Sequence, residues 1–566
     1  AGGCFQELQL LMDGNVVQRG QIITTRGLAA GRAPQPPAWT AMTRSLKRSA
    51  GRTTSGMDSE CLGVTVGIWV VLWPPLHLSP RLLEVMVAGY PVLLVRNRKE
   101  FSALGSKCPH YGAPLSKGVL RGERLRCPWH GACFNIRTGD IEEYPALDCI
   151  SCFKVTVEDG KVFITAKKKV LTLPRGVRGL RWASLAGVAA LVCAETLRQE
   201  GFTGRIVMAT SEKHVPYDKS KLSKVCVRQG QDCACLACGP SLLQAVSVDF
   251  QKQRVRFMDG SSQKYQQLLI ATGSHSGFLQ VPGADLQNIC TLQTPEDSSK
   301  ILKLATGKNL VIVGASFIGM EVAAFLSDKA GTISVVEREE FPFQHALGPQ
   351  VGGVAMKMLQ NKGVKFHMKT ELCELKGKDG KVSHVFLSIP AHGPALPSHR
   401  CTNCLLSHQH MQTNIPNVFA AGDVVTFPVA LLDGARSSIR HQQVAEAHGH
   451  CAALNMLQGG KELHTVPYFW TTMLGKSIRY AGCGKGYTDT VVKGSLEQQK
   501  FLIFYIRDGH VTAAASLNCD PMVSLIAEVF WWVALCSSPC QQSPLRDTKP
   551  RGVTANPQPT SCFQGL

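Results

Sequence analysis

The rhythm of hydrophobic and polar positions changes along this chain, and the changes divide it. Between about Glu84 and Lys168 the apolar runs are short. Pro91-Val92-Leu93-Leu94-Val95, Cys152-Phe153-Lys154-Val155-Thr156-Val157 and Lys161-Val162-Phe163-Ile164 are β-rich or alternating and are broken by Gly or Asp-Gly turns, which predicts a small all-β unit. From about 176 onward strand-like and helix-like segments alternate. A helix is expected over Ala189 to Gln199, and strands over Ile206 to Thr210, Leu268 to Ile270, Leu310 to Val313 and Thr332 to Val336, an α/β pattern. Toward the C-terminus, Gly475 to Tyr480 and Lys500 to Tyr505 have strand character. The expected architecture is multidomain: an all-β domain, then an α/β portion, then a small α+β domain. Two apolar stretches, Leu62 to Trp73 and Phe530 to Cys536, fall short of the ~20 residues a membrane-spanning helix requires, so no transmembrane span is expected.

Length and composition add bounds. The 566 residues allow three or four domains, and 44% hydrophobic residues with a mean hydropathy of +0.01 are ordinary for a globular protein. A net charge of +20 raises nucleic acid as a partner, yet much of it is local: Asn15 to Met57 holds seven Arg or Lys and no acid. That is the composition of an organelle transit segment, which predicts a mitochondrial address; a solvated basic arm on a cytoplasmic protein is the alternative. No nucleic-acid partner is expected. The 22 cysteines follow no regular disulfide spacing, which fits a reducing interior. Residues 1–80, basic, and 534–566, rich in Ser, Pro, Gln and Cys, are expected to lack order.

The chemistry begins at Cys108-Pro109-His110 and Cys127-Pro128-Trp129-His130, two thiols and two imidazoles in two short loops. The prolines and the glycines Gly112 and Gly131 favour tight loops. Zinc also accepts Cys2His2, but the fingers that use it place the histidines together on a helix, whereas each loop here supplies one of each. The pattern resembles a Rieske signature, in which two cysteines hold one iron and two histidines the other, with Cys108, His110, Cys127 and His130 as the metal ligands. The resemblance implies a Rieske [2Fe-2S] domain over 81–170. Respiratory-complex relatives carry an extra cysteine in each loop; Ala113 and Trp129 stand there instead, which places the chain with the ferredoxin-like Rieske proteins.

A second set of motifs follows. Gly314-Ala315-Ser316-Phe317-Ile318-Gly319 after the strand Leu310 to Val313 is a dinucleotide fingerprint with Ser316 at the middle glycine position, and Glu321 lies just inside the helix. Glu337 ends the next strand, where an acid bonds both ribose hydroxyls and repels a 2'-phosphate; this favours NADH over NADPH, with Arg338 beside it arguing the other way. The order of this fingerprint, Ala271-Thr272-Gly273 before it and Gly422-Asp423 after it resembles the two-dinucleotide-fold flavoprotein reductases, in the branch of the ferredoxin reductases and the apoptosis-inducing-factor-like proteins. By that resemblance Asp423 binds the ribityl chain of FAD, Glu212 its adenosine ribose, and Lys219 and Lys224 lie near the flavin and its phosphates, although lysines at such positions also simply coat loops. His441 and Trp470 match the branch's flavin-side helix start and aromatic residue. The implied domains are 176–295 and 411–465 for FAD, 296–410 for NAD and 466–533 as the C-terminal reductase domain. No C-x4-C redox pair follows the first nucleotide fold, and Cys193 stands alone as expected helix packing. Electrons should therefore leave FAD through the [2Fe-2S] cluster, toward an unknown one-electron acceptor protein such as an oxygenase or cytochrome. A dimer is left open.

Three segments depart from the family. Arg181 to Val188 replaces the glycine-rich FAD turn, keeping one glycine, Gly187. Val225 to Gln244 carries Cys226, Cys233, Cys235 and Cys238, and Ile389 to His410 carries Cys401, Cys404 and His408. The two cysteine groups are half-sites for zinc, or else reflect an imperfect translated sequence. A signalling or interaction protein with a structural redox scaffold is the rival reading.

Overall fold

The computed structural model describes residues 9–12, 15–16, 63–68, 81–87, 89–158, 161–167, 187–212, 214, 217–224, 244–277, 279–389 and 405–537. The three short runs predicted as strands fall within Tyr90–Asn97, Cys152–Glu158 and Lys161–Lys167. With Gly63–Ile68, Arg81–Val87 and Glu100–Gly105 they form a six-stranded antiparallel sheet. Alternate residues of Tyr90–Asn97 serve two cores: Leu93 and Val95 face the cluster of Leu104, Leu115, Leu125 and Phe134, while Val92 and Leu94 face Val87, Ala103 and Ile164. A second sheet, in the order Ile141–Glu143, Cys133–Asn135, Arg124–Arg126 and Val119–Arg121, supports one of the two cysteine-histidine loops.

The expectation that residues 1–80 lack order is corrected at three places. Gly63–Ile68, the heart of the apolar stretch from Leu62, is the edge strand beside Lys161–Lys167. Gln9–Met12 lies antiparallel between Asn309–Val313 and Ile289–Cys290, and Asn15–Val16 pairs with Lys381–Ser388. Each is backbone pairing, at a sheet edge for Gly63–Ile68 and Asn15–Val16 and between two strands for Gln9–Met12, which a basic composition does not prevent.

In the portion expected to bind NAD, Asn309–Val313, Thr332–Val336 and Lys365–His367 run parallel, and the helix Phe317–Leu326 follows the first of them. In the portion expected to bind FAD, Leu268–Ile270 pairs in parallel with Val418–Ala420, so that their two following turns emerge side by side. The helix Val188–Gln199 packs on Gln442–Leu457 so closely that a Cβ on Gly449 would stand 2.1 Å from the Ala189 carbonyl oxygen. Ile206 to Thr210 is not a strand. A strand needs a ladder partner, and the expected one belongs to the replaced segment 181–186, outside the described residues. Cys226, Cys233, Cys235, Cys238, Cys401 and Cys404 also lie outside them.

The C-terminal domain is a five-stranded antiparallel sheet ordered Tyr468–Met473, Lys476–Gly482, His510–Leu517, Lys500–Arg507 and Asp489–Ser495. The helix Met522–Ser537 packs on it through Val523, Ile526, Ala527 and Phe530, and so runs past the expected boundary at 533. Among the described residues no helix is long and apolar enough to cross a membrane.

Candidate functional site

The two cysteine-histidine loops fold alike because their sequences do. In Cys108-Pro-His-Tyr-Gly-Ala113 the Cys108 N–H donates to the Ala113 carbonyl at 2.9 Å, and in Cys127-Pro-Trp-His-Gly-Ala132 the Cys127 N–H donates to the Ala132 carbonyl at 2.7 Å. Each loop closes through a glycine in the left-handed region, Gly112 at φ 71° and Gly131 at φ 78°. The loops meet. Cys108 and Cys127 share a hydrogen bond that holds the Cys108 thiol up and brings Cys127 down, with burial raising both. The rings of His110 and His130 stand 4.9 Å apart. Burial lowers His110 to about 4 and His130 to about 2, so both imidazoles are neutral, as iron ligands must be. Both ring nitrogens of His110 are buried without a hydrogen-bond partner, an orphaned polar pair that needs a ligand. Among the described residues no three such side chains converge on a single-ion position; a thiol pair beside an imidazole pair is the division a binuclear cluster requires.

The imidazole end of these loops faces the C-terminal sheet. Trp470, on strand Tyr468–Met473, lies 4.2 Å from the His130 ring, 5.6 Å from His110 and 5.1 Å from His441. Around it the Arg479 guanidinium donates to the Trp129 carbonyl at 2.7 Å and the Ser524 hydroxyl to the Cys127 carbonyl at 3.0 Å. A Cβ on Gly131 would stand 2.7 Å from the Tyr468 ring, so glycine serves both the loop and the contact. Deeper in the same interface two guanidiniums, Arg124 and Arg126, meet Glu142, Glu143 and Glu528. Burial opposes the charge on Arg126, but Glu143 and Glu528 outweigh it and hold its pKa above the ordinary value. Glu143 also accepts from the Val466 N–H at 3.1 Å. The all-β domain is thereby fastened to the helix Met522–Ser537.

Trp470 also lines a cavity of about 1720 Å³, larger than the roughly 300–1,000 Å³ of an ordinary small-molecule pocket. The turns Ala271-Thr272-Gly273 and Gly422-Asp423 form one wall, with Gly273 at φ 71° and Gly422 at φ 82°. Burial pushes the Asp423 carboxyl up, against the Ser274 hydroxyl at 3.0 Å and the charges of Arg440 and Lys219. Glu212 and Lys219 line another wall, paired at 2.5 Å. Lys224 reaches Glu321 at 2.8 Å, and Ser223 and Thr471 donate to the same carboxylate. His441 caps the helix Gln442–Leu457, and burial lowers it to about 3. Eleven of the sequence-predicted cofactor residues thus border one cavity: Glu212, Lys219, Lys224, Ala271 to Gly273, Glu321, Gly422, Asp423, His441 and Trp470.

The other four, Gly314, Ser316, Gly319 and Glu337, form a separate turn next to it. A Cβ on Gly319 would stand 2.0 Å from the Gly314 oxygen, so that glycine is required for the turn to close. Ser316 is the N-cap of Phe317–Leu326, whose first turn and Glu321 border the flavin-side cavity. Glu337 accepts from the Ala315 N–H at 2.6 Å, and Arg338 is drawn aside to Glu371 at 2.7 Å. Several participants carry no motif and went unrecognised in sequence. Arg124, Arg126, Arg479 and Glu528 act only through tertiary contact; Tyr111 and Ser274 sat beside recognised residues, and adjacency was the one available signal.

The families matched agree with this arrangement. The one described as Rieske [2Fe-2S] domain matches residues 68–154, pyridine nucleotide-disulphide oxidoreductase 186–390 and reductase C-terminal 468–529. Fold and site define a Rieske-containing, NAD(P)H-dependent flavoprotein oxidoreductase, whose cofactors are a [2Fe-2S] cluster, FAD and NADH. The chain is 46% identical over 492 residues to apoptosis-inducing factor 3 of Mus musculus, across 79% of this chain and 81% of that protein, and it belongs to that family. It is also 30% identical over 363 residues, 59% of this chain and 88% of the other, to the ferredoxin–NAD(+) reductase component of a biphenyl dioxygenase system from Paraburkholderia xenovorans. Among solved structures a ferredoxin reductase from Rhodopseudomonas palustris shares the fold at TM-score 0.55 and 23% identity, covering 63% of this chain and 94% of its own.

Proposed function

We propose that this chain carries electrons from NADH by way of FAD to a [2Fe-2S] cluster held by Cys108, His110, Cys127 and His130, and onward to a separate one-electron acceptor protein. The supporting observation is Trp470, which touches both imidazoles while lining the flavin-side cavity. When bound, FAD splits a two-electron donor into single-electron steps and the Rieske cluster takes them one at a time. The residues supply position. Asp423 and the flanking glycine turns would hold the ribityl side, Glu212 the adenosine ribose and Lys219 the flavin's phosphates, with the Lys224–Glu321 pair as a fixed charge couple on the wall of the same cavity. Gly314, Ser316 and Gly319 cradle the NADH pyrophosphate at a helix N-terminus. The acceptors served by relatives, such as the ferredoxin of the dioxygenase system, make a small redox protein the expected partner, and the basic segment 15–57 is read as a mitochondrial address.

Anaerobic addition of NADH to protein reconstituted with iron, sulfide and FAD should bleach the flavin band and raise the electron paramagnetic resonance signal of a reduced Rieske centre. A colourless product, or no signal after NADH, rejects the reading. One observation favours a second reading, an interaction or death-signalling protein with a structural scaffold: the FAD pyrophosphate turn keeps only Gly187 of its glycines. Failure to retain FAD after reconstitution would select it.

Nucleotide choice gives a sharper expectation. The Arg338–Glu371 ion pair supports NADH over NADPH, as does Glu337 at the end of the strand Thr332–Val336. Glu371→Gln frees the guanidinium. Because the pair is exposed and worth up to ~1 kcal/mol, the NADPH/NADH ratio of kcat/KM should rise about three- to fivefold, measured by initial rates with ferricyanide.

A further inference from the structure

The cluster ligands are nearly enclosed. Cys108 and Cys127 are 2% and 1% exposed, and His130 is 9% exposed behind Trp470. The imidazole end is turned toward the flavin cavity, with His110 half-buried and both its ring nitrogens enclosed. Trp129, the next aromatic neighbour, is half-buried, its ring 6.4 Å from His130 and its carbonyl held by Arg479. One side chain bridges from solvent to both imidazoles. Tyr111 is 39% exposed, and its ring stands 4.3 Å from His110 and 5.1 Å from His130. Its hydroxyl donates to Asp218, which fixes the ring.

The charges around Tyr111 are also particular. Lys219 is neutralised by Glu212, and Asp218 is engaged by Tyr111 and by the backbone and hydroxyl of Ser220. That leaves Lys221, whose ammonium lies 5.3 Å from the Tyr111 ring, and exposed Lys107, which precedes Cys108 at the base of the same loop. The exposed Tyr111-Gly112 tip therefore has Lys221 beside its ring and exposed Lys107 at the base of its loop, two cations that form no ion pair with a carboxylate among the described residues.

We propose that Tyr111, Lys107 and Lys221 form the docking surface on which an acidic one-electron acceptor protein draws its electron from the cluster. Trp470 is then the inward contact of the cluster and Tyr111 the outward one. Each encounter oxidises the reduced cluster by one electron and reduces the acceptor's metal centre by one, with no bond formed or broken. Lys107 and Lys221 steer a negatively charged face into register, an effect that salt screens. The inference rests on the electron route proposed above and names its partner's chemistry.

The test uses the reconstituted full chain and ferricytochrome b5, an acidic one-electron haem protein, as the probe. A wild-type cluster signal with NADH comes first; its absence defeats the underlying route and not the docking surface alone. With that signal present, two measurements follow: affinity for the oxidised probe by NMR titration, and haem reduction by stopped flow. Lys107→Glu with Lys221→Glu should weaken binding about tenfold or more at low salt and abolish the salt dependence of the wild type. Tyr111→Ala should slow haem reduction about tenfold beyond any change in affinity, and Tyr111→Phe, which keeps the ring, should restore the rate. Unchanged affinity on charge reversal, or a Tyr111→Ala variant as fast as wild type, overturns the proposal. So does equal binding of basic ferricytochrome c, since the surface would then lack charge selection.

Discussion

Replacing Arg126 with methionine is expected to cost about 3–5 kcal/mol where the Rieske and C-terminal domains meet, because it strands charges that were buried as a set. Arg126 is 1% exposed, Glu143 2% and Glu528 0%. Its Nε contacts Glu528 at 2.6 Å, a second guanidinium nitrogen contacts Glu143, and a third donates to the Gly131 carbonyl at 2.8 Å, tying the ion cluster to a ligand loop. The cluster holds two guanidiniums against three carboxylates. Removing Arg126 leaves one against three, whereas Glu528→Gln leaves two against two. The arginine variant should therefore be the more damaging, with the glutamine variant costing roughly half as much. Native-state hydrogen exchange at the amides of Arg124–Arg126 measures both. Equal losses would mean that the cluster contributes packing and not charge balance. The same arithmetic argues for function: at a surface such a group contributes little, but buried between domains it penalises any state in which they separate, and so keeps His110 and His130 against Trp470.

How legible this was in sequence depended on whether a residue's job was local. The loops of Cys108 and Cys127 are closed within six residues by a glycine and a backbone hydrogen bond, so residue types and spacing within each loop, with the resemblance they carry, announced them. Gly319 was legible for the same reason: its close contact is with Gly314, five residues away. Strands such as Thr332–Val336 were readable because residues 333–336 are buried on both faces and three of those four are β-branched and apolar. Ile206 to Thr210 misled because a strand's pattern is its own but its ladder belongs to a neighbour. The apolar run from Leu62 misled differently: it is too short for a membrane span and lies in a segment expected to lack order, while the strand it pairs with, Lys161–Lys167, is about a hundred residues away. Arg124, Arg126 and Glu528 were invisible, because roughly 400 residues separate partners whose meaning exists only in contact.

Cys127→Ser should remove the electron's way out while leaving its way in. Serine offers a harder oxygen that does not ionise near neutral pH, whereas iron in a cluster of this kind requires a thiolate. The partner sulfur, Cys108, already shares a hydrogen bond with Cys127, and 1% exposure leaves little room for water to substitute. The reconstituted variant should contain close to no iron and give no reduced-cluster signal, and its reduction of ferricytochrome b5 should fall about a hundredfold. NADH should still bleach its flavin band, since none of Asp423, Glu321 or the Gly314 turn is touched. Cys133→Ser supplies the contrast, for Cys133 is just as buried, one strand away, with its sulfur 3.8 Å from Glu528. If loss of iron merely reported a disturbed core, both serines would lose it; if Cys127 is a ligand, only the first will. A Cys127→Ser protein that emptied of iron yet reduced the haem as fast as wild type would place the cluster off the route, and the enclosure of its imidazoles between Trp470 and Tyr111 would then need another purpose.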